Sequence, residues 1–273
     1  MTDTTPFATI AQLPPPPDLE LAPDPWLTPV ADLVAMLLDR LAAGRPYGQP
    51  VLPTGIAAFD GIDGGLAAGT LTALCAPPGA DRGAAVLAAA VHAAEADHHV
   101  VLYALGATVA GLGAQVVSVI SGVAPHRLAA GPTDTEIAAL AGAQRRLAGL
   151  PLQLMVGQTV SSHDIRAMSL SADDPVELIV VDNFPLLAHG GRATDLKHLA
   201  VDLNVAVLCS TTVVVGHDWL DQRWLDADLL SAADTIAWSD PGGTPTLVVA
   251  ANHPSASERP DGQPPGGDPA APS

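Results

Sequence analysis

APPGADRGAAVLAAAV, residues 76–91, reads as a turn-rich loop that leaves the strand-like run TLTALC (70–75) and opens an alanine-rich helix. Strand, short glycine-containing loop and helix, in that order, make the outline of a phosphate-binding P-loop. The residue types inside the loop are not those that hold phosphates. Whether the stretch is a working nucleotide site or only its shape decides how the rest of the chain is read.

Working outward, apolar strand-like runs alternate with helical patterns. HVVLYAL (99–105), PLQLMV (151–156), ELIVVDN (177–183) and VAVLCST (205–211) read as strands, and DTIAWSD with TPTLVVAAN (234–240, 244–252) as a final pair. Between them lie helices, among them DTEIAALAGAQRRLAGL (134–150), with Asp134 as expected cap and Glu136 near the positive end. SSHDIRAMSLSA (161–172) reads as a helix capped by Ser162, and DLKHLAVDLN (195–204) as another. Continuous apolar strands alternating with helices predict an α/β fold, a mostly parallel sheet covered on both faces. Residues 1–25 form an acidic, Pro-rich leader, and 254–273 a tail of disordered composition. Within 26–51, PWLTPVADLVAMLLDRLAAG predicts an amphipathic helix over 26–44, with Trp26, Leu33, Leu37 and Leu41 near one face. That stripe needs a surface, either on the chain's own body or on a neighbour.

The bulk numbers narrow the function. Eleven Lys and Arg face 29 Asp and Glu across 273 residues, and Lys197 is the one lysine. A net charge of −18 repels polyanions, whereas nucleic-acid affinity rests on phosphate neutralisation. Direct DNA binding is therefore not expected; Arg145–Arg146 is the sole adjacent basic pair. Cys75 and Cys209 lie in apolar runs and read as buried, reduced thiols rather than as a disulfide framework or a zinc site. The N-terminus lacks a basic, apolar signal pattern and no run spans a membrane, so a cytoplasmic protein is expected.

In this order the segments resemble the RecA-like motor domain of DnaB-type replicative helicases. PTGIAAFDGIDGGLAAGTLTALCAPPG (53–79) is similar to that family's opening: a Thr-Gly turn, a Phe-Asp pair, Gly-Gly-Leu, a strand, then the P-loop. ELIVVDN resembles its Walker B strand, LAVDLNVAVLCST (199–211) its helix-to-strand passage, and LLSAADTIAWSD (229–240) the segment entering its late strand. The match covers about residues 52–253, with the 26–44 helix where the family has its linker helix. The opening turn is shared with RadA- and KaiC-type RecA-fold relatives. The resemblance implies a P-loop NTPase fold, ATP and magnesium as ligands, and work on DNA in replication or repair.

The same resemblance implies that the machinery is degenerate. The loop Gly79, Ala80, Asp81, Arg82 and Gly83 has Asp81 at a family glycine, Arg82 at the lysine and Gly83 at the magnesium-ligating Ser/Thr. Asp81 sets a negative charge against a triphosphate, and Gly83 has no hydroxyl; Arg82 retains the ability to touch an anion. Gly106 stands at or near the position of the acid that polarises water, and Thr212 at a phosphate-sensing glutamine. Ala251-Asn252-His253 stands at a trans-acting Lys-x-Arg, a class of group worth about 10³–10⁵ in rate in related enzymes. Asp182 keeps the Walker B acid, either as a magnesium site or as a cap for the next turn. The connection FPLLAHGGRAT (184–194), with Arg192 as its permanent cation, is shorter than expected of a DNA-facing loop. His217, Asp218 and Asp221 in GHDWLDQRW read as a polar helix start rather than a metal cluster, with Trp219 and Trp224 packed or at an interface.

The resulting expectation is a RecA-fold protein that does not hydrolyse ATP. It would act by binding copies of itself or a helicase relative through the 26–44 helix, without ATP or magnesium. The rival is a divergent ATP-dependent DNA helicase that uses Arg82 and Asp182 in an altered geometry. A third reading is a switch that binds a nucleotide without hydrolysing it.

Overall fold

The strand-like runs of the sequence pair into one sheet. The computed structural model of the chain describes residues 30–42, 51–61, 64–157, 160–213, 227–239 and 245–250. The chain divides into two units, Met1–Gly48 and Gln49–Ser273. In the first, α1 (Val30–Ala42) lies within the 26–44 helix expected, and the rest of that stretch falls outside the described residues. Its Val30, Val34 and Leu38, spaced by four, are all exposed. The leader 1–25, the tail 254–273, the GHDWLDQRW segment with His217, Asp218 and Asp221, and Ala251-Asn252-His253 lie outside the described residues.

The second unit opens with an antiparallel pair, β1 (Val51–Leu52) and β2 (Leu66–Ala67), and is built on a seven-stranded sheet in the order β5-β4-β6-β7-β3-β8-β9. The sheet strands are β3 (Leu71–Ala76), β4 (Val100–Leu105), β5 (Leu152–Gly157), β6 (Leu178–Asp182), β7 (Ala206–Thr212), β8 (Thr235–Ser239) and β9 (Pro245–Ala250). The first six run parallel, and β9 returns antiparallel on β8. β3 is buried at every position, which explains why its sequence reads apolar without alternation. Leu74, Leu102, Val180 and Leu208 pack on one face with α3 (Arg82–Glu95) and α4 (Val109–Ser121). Cys75, Tyr103, Val181 and Cys209 pack on the other with α7 (Ser162–Leu170), α8 (Ala193–Leu203) and α9 (Ala227–Ala232).

Local chemistry sets the element ends. In α6 (Asp134–Leu147) the N-cap is Thr133, not Asp134: its hydroxyl accepts from the Glu136 N–H while the Glu136 carboxylate accepts from the Thr133 N–H. α7 is capped by Ser161, not Ser162, with Asp164 closing the same reciprocal box. In both cases the cap lies one residue earlier than the sequence suggests, because the residue three positions on supplies the return bond. The Thr-Gly turn is held by Asp60, whose carboxylate accepts from the Thr54 N–H (2.8 Å), the Thr54 hydroxyl (2.7 Å) and the Gly55 N–H (2.9 Å). Gly55 has φ +70°, and a Cβ there would stand 2.8 Å from the His92 ring of α3, so glycine lets this turn lie against the helix that follows the P-loop.

The lone lysine closes the base of β3. Lys197 Nζ donates to Gly69 O (2.9 Å) and to both oxygens of Asp234 (3.0 and 2.8 Å), while Asp234 Oδ2 accepts from the Leu71 N–H at 2.7 Å. The chain's one ammonium is thus committed to joining α8, β3 and the approach to β8.

Both thiols are in the core. Burial pushes Cys75 up to about 12. Burial, together with the neighbouring Cys75, raises Cys209 well above the ordinary thiol range. The thiolate is the nucleophile, so neither should react in the native protein at about pH 8. Iodoacetamide is expected to leave both unmodified until denaturant is added and then to label both; rapid native labelling of either would contradict this core.

Candidate functional site

The P-loop connection emerges from the C-terminal edge of the parallel sheet, where open α/β folds place their ligand sites. Residues 77–81 leave β3 and turn into α3, with Gly79 at φ +88°. Two features of this turn are set by its own side chains. The Asp81 carboxylate accepts from the Ala84 N–H at 3.1 Å and is the N-cap of α3. It sits among the helix-terminal donors that an anion would use. The Arg82 side chain runs the other way, into the sheet edge. Its Nε lies 3.3 Å from Asp182 Oδ1 and donates to Ser210 Oγ at 3.2 Å, and its Nη1 donates to the Thr212 hydroxyl.

Asp182, ending β6, is the centre of this cluster. Ser210 Oγ donates to Asp182 Oδ1 at 2.5 Å and accepts from the Asn183 N–H at 2.9 Å. Asp182 therefore does not cap the following turn; a guanidinium and a hydroxyl from a neighbouring strand engage it. Arg82 and Asp182 side chains are only 19% and 18% exposed, so solvent screens their attraction weakly. Arg82, expected as a residual anion contact, is instead turned inward to a carboxylate and two hydroxyls.

The Gly83 position adds to this. A Cβ built there would lie 3.4 Å from both Asp182 Oδ2 and Gln115 Nε2, in ordinary van der Waals contact with each, while glycine itself offers no hydroxyl. Gly106 has φ +77°, and its Cβ would meet Leu186 Cδ1 at 2.8 Å. Leu186 belongs to the 3-10 turn Phe184–Leu186 that follows β6. The tip of the exposed Leu186 side chain thus lies beside the place where the resemblance puts a water-polarising acid.

The loop offers no hydroxyl at Gly83, the carboxylate of Asp182 is paired to a guanidinium, and a carboxylate already caps the helix. Among the described residues no group of three or more His, Cys, Asp and Glu is arranged to hold a metal ion. His98 and His99 contact acids in pairs, His98 Nδ1 to Glu177 at 3.2 Å and His99 Nδ1 to Asp174 at 4.0 Å.

On the DNA-facing side of the resemblance, Arg192 Nη2 lies 3.5 Å from Asp228 Oδ1. Asp228, at the start of α9, also accepts from the Ala193 N–H at 2.6 Å and from the Thr194 N–H and hydroxyl. Burial opposes its charge, yet these hydrogen bonds and Arg192 together hold its carboxyl below the usual range. The permanent cation of this connection is therefore matched by an acid.

Sequence reading brings Asp81, Arg82, Gly83, Asp182 and Thr212 to one region, and the structure joins Arg82, Asp182 and Thr212 directly. It does not anticipate Ser210, Gln115 or Leu186. The run of three hydroxyl residues, Ser210–Thr212, ending an otherwise apolar strand is the available signal for Ser210. Nothing local marks Gln115 or Leu186, which reach the site from other elements.

Comparison with known proteins agrees with the fold. The family model described as DnaB-like helicase C terminal domain matches residues 51–215. Among solved structures, the chain is similar to one titled "The Structure Of A DnaB-Like Replicative Helicase And Its Interactions With Primase", at 16% identity and TM-score 0.63 over 78% of this chain. It spans 56% of that longer protein. It is similar also to a second solved structure, described as an ATPase domain, at 16% identity and TM-score 0.65, over 78% of this chain and 83% of that one. No curated protein sequence matches the chain.

The geometry at Gly106 and Asp81 is open to test. Gly106→Glu forces a side chain into positive φ against Leu186 and should cost about 1–2 kcal/mol in urea denaturation. Asp81→Ala removes the α3 cap and should cost about 1 kcal/mol. A Gly106→Glu protein as stable as the parent would refute the crowding at that position.

Proposed function

The chain belongs to the DnaB-like helicase C-terminal domain family, and from that premise we propose a RecA-fold subunit that does not hydrolyse ATP and acts by binding proteins, in DNA replication or repair. The observation that carries this reading is the Arg82–Asp182 pair. In a P-loop NTPase the Walker B acid supports the metal and the P-loop cation faces the phosphates. Here those two groups neutralise one another. Gly83 supplies no metal-ligating hydroxyl, and Leu186 fills the space beside Gly106. Losses at three separated positions weigh more than one, since each removes a different contribution to the same step.

Charge supports a protein partner over DNA. Six described cations, Arg82, Arg127, Arg146, Arg166, Arg192 and Lys197, are each bridged to a carboxylate of the chain itself. A net charge of −18 repels a phosphate backbone as a whole. The exposed Val30, Val34 and Leu38 stripe of α1 supplies an apolar face for docking. The partner we propose is a second copy or a helicase relative, by extension from the family to which the chain belongs.

Calorimetric titration of the purified chain with ATP, with and without magnesium, is expected to show no binding, and turnover to stay at the blank rate. Magnesium-dependent turnover abolished by Asp182→Ala would establish the divergent-helicase alternative instead. Thermal stabilisation by ATP without turnover would identify a nucleotide-binding switch. For the partner, a Val34→Asp, Leu38→Asp double variant should lose self-association or helicase capture without losing its fold. A parent chain that is monomeric and captures no helicase would overturn that part.

A further inference from the structure

We infer that Arg82 is a tethered substitute for a divalent cation, holding the C-terminal edge of the sheet in one state without nucleotide or metal. Four observations meet at this point. Arg82 begins α3, so its backbone belongs to the P-loop helix, while its side chain reaches β6 through Asp182 and β7 through Ser210 and Thr212. Ser210 is fully buried and its hydroxyl is saturated: it donates to Asp182 and accepts from Arg82 and the Asn183 N–H. The Asp182 charge lies in a site only 18% exposed, where an acid needs a positive partner. Finally, Gly83 makes room beside Asp182 and Gln115 rather than offering a ligand.

A guanidinium suits this task better than an ammonium. Its planar fork donates in fixed directions, and here it serves a carboxylate and hydroxyls on two strands at once. A metal ion would join the same elements only while bound; a covalently attached cation joins them permanently. Switching proteins of this general kind change shape because phosphate and metal contacts come and go. In this chain the equivalent contact has no departing group. Any partner surface coupled to the sheet edge is therefore presented constantly. This biological consequence rests on the non-hydrolysing reading above, whereas the bond itself is tested separately.

Thermal melts with and without magnesium chloride, at matched ionic strength, provide the test. The parent chain should show the same Tm in EDTA and in magnesium. Arg82→Ala should melt about 4–10 °C lower, because it leaves Asp182 without its cation. Magnesium at tens of millimolar should then recover roughly 2–4 °C in Arg82→Ala. It should recover nothing in Arg82→Ala combined with Asp182→Asn. Arg82→Gln, which keeps much of the side-chain volume, stands in if the alanine variant does not fold. Saturable stabilisation of the parent by magnesium, an unchanged Tm in the Arg82 variant, or no magnesium recovery dependent on Asp182 would each overturn the inference. Such a result with no ATP turnover by the parent would leave the proposed function intact; turnover by the parent would remove that function first.

Discussion

A strand buried on both faces has no water for its backbone, so every amide and carbonyl along it needs a partner strand. β3 meets that demand by parallel pairing with β7 on one side and β8 on the other. The rest of the molecule is arranged around this constraint. Entry to the strand is tied by Lys197 and Asp234, and its exit delivers the P-loop to the sheet edge beside the ends of β6 and β7. Arg82 can reach Asp182, Ser210 and Thr212 only because the parallel register brings those three chain segments to a common level.

The cluster at that edge is set apart from the forces that hold the fold. Apolar strands and alanine-rich helices keep the sheet and its helical layers together, and their energetics do not depend on what the loops bind. Loop residues are then able to change the site without unfolding the domain. Asp81 caps α3, Arg82 pairs with Asp182, and Gly83 lies beside Asp182 and Gln115. Each fits its present neighbours, which is a different condition from fitting a nucleotide. The acidic surplus of the chain follows the same logic: Lys197 and the bridged arginines serve internal carboxylates.

Much of this is legible in the sequence. The order of buried strands and helices pointed to the α/β layers, and apolar context placed Cys75 and Cys209 inside. Cap identities were less legible, since Thr133 and Asp134, or Ser161 and Ser162, are adjacent residues of similar propensity. Reciprocal bonding from Glu136 and Asp164 decided between them. Sequence leaves Asp182 between a metal role and a turn cap, because it gives the acid without the groups facing it. Its partners lie 28 residues later at Ser210 and, from much earlier in the chain, at Arg82 of α3.

Residue order alone determined which segments could be buried, how they alternate and which residue types stand in the loop after β3, because these depend on side-chain type and local period. Tertiary structure alone decided where the remaining charges point. Arg82 had a choice between solvent, an anion and the sheet edge, and no local pattern distinguishes them. The choice was made by a carboxylate in a weakly hydrated site, brought within reach by strands far apart in the chain. Electrostatic attraction at short range depends on that proximity, and proximity between distant segments exists only once the sheet has formed.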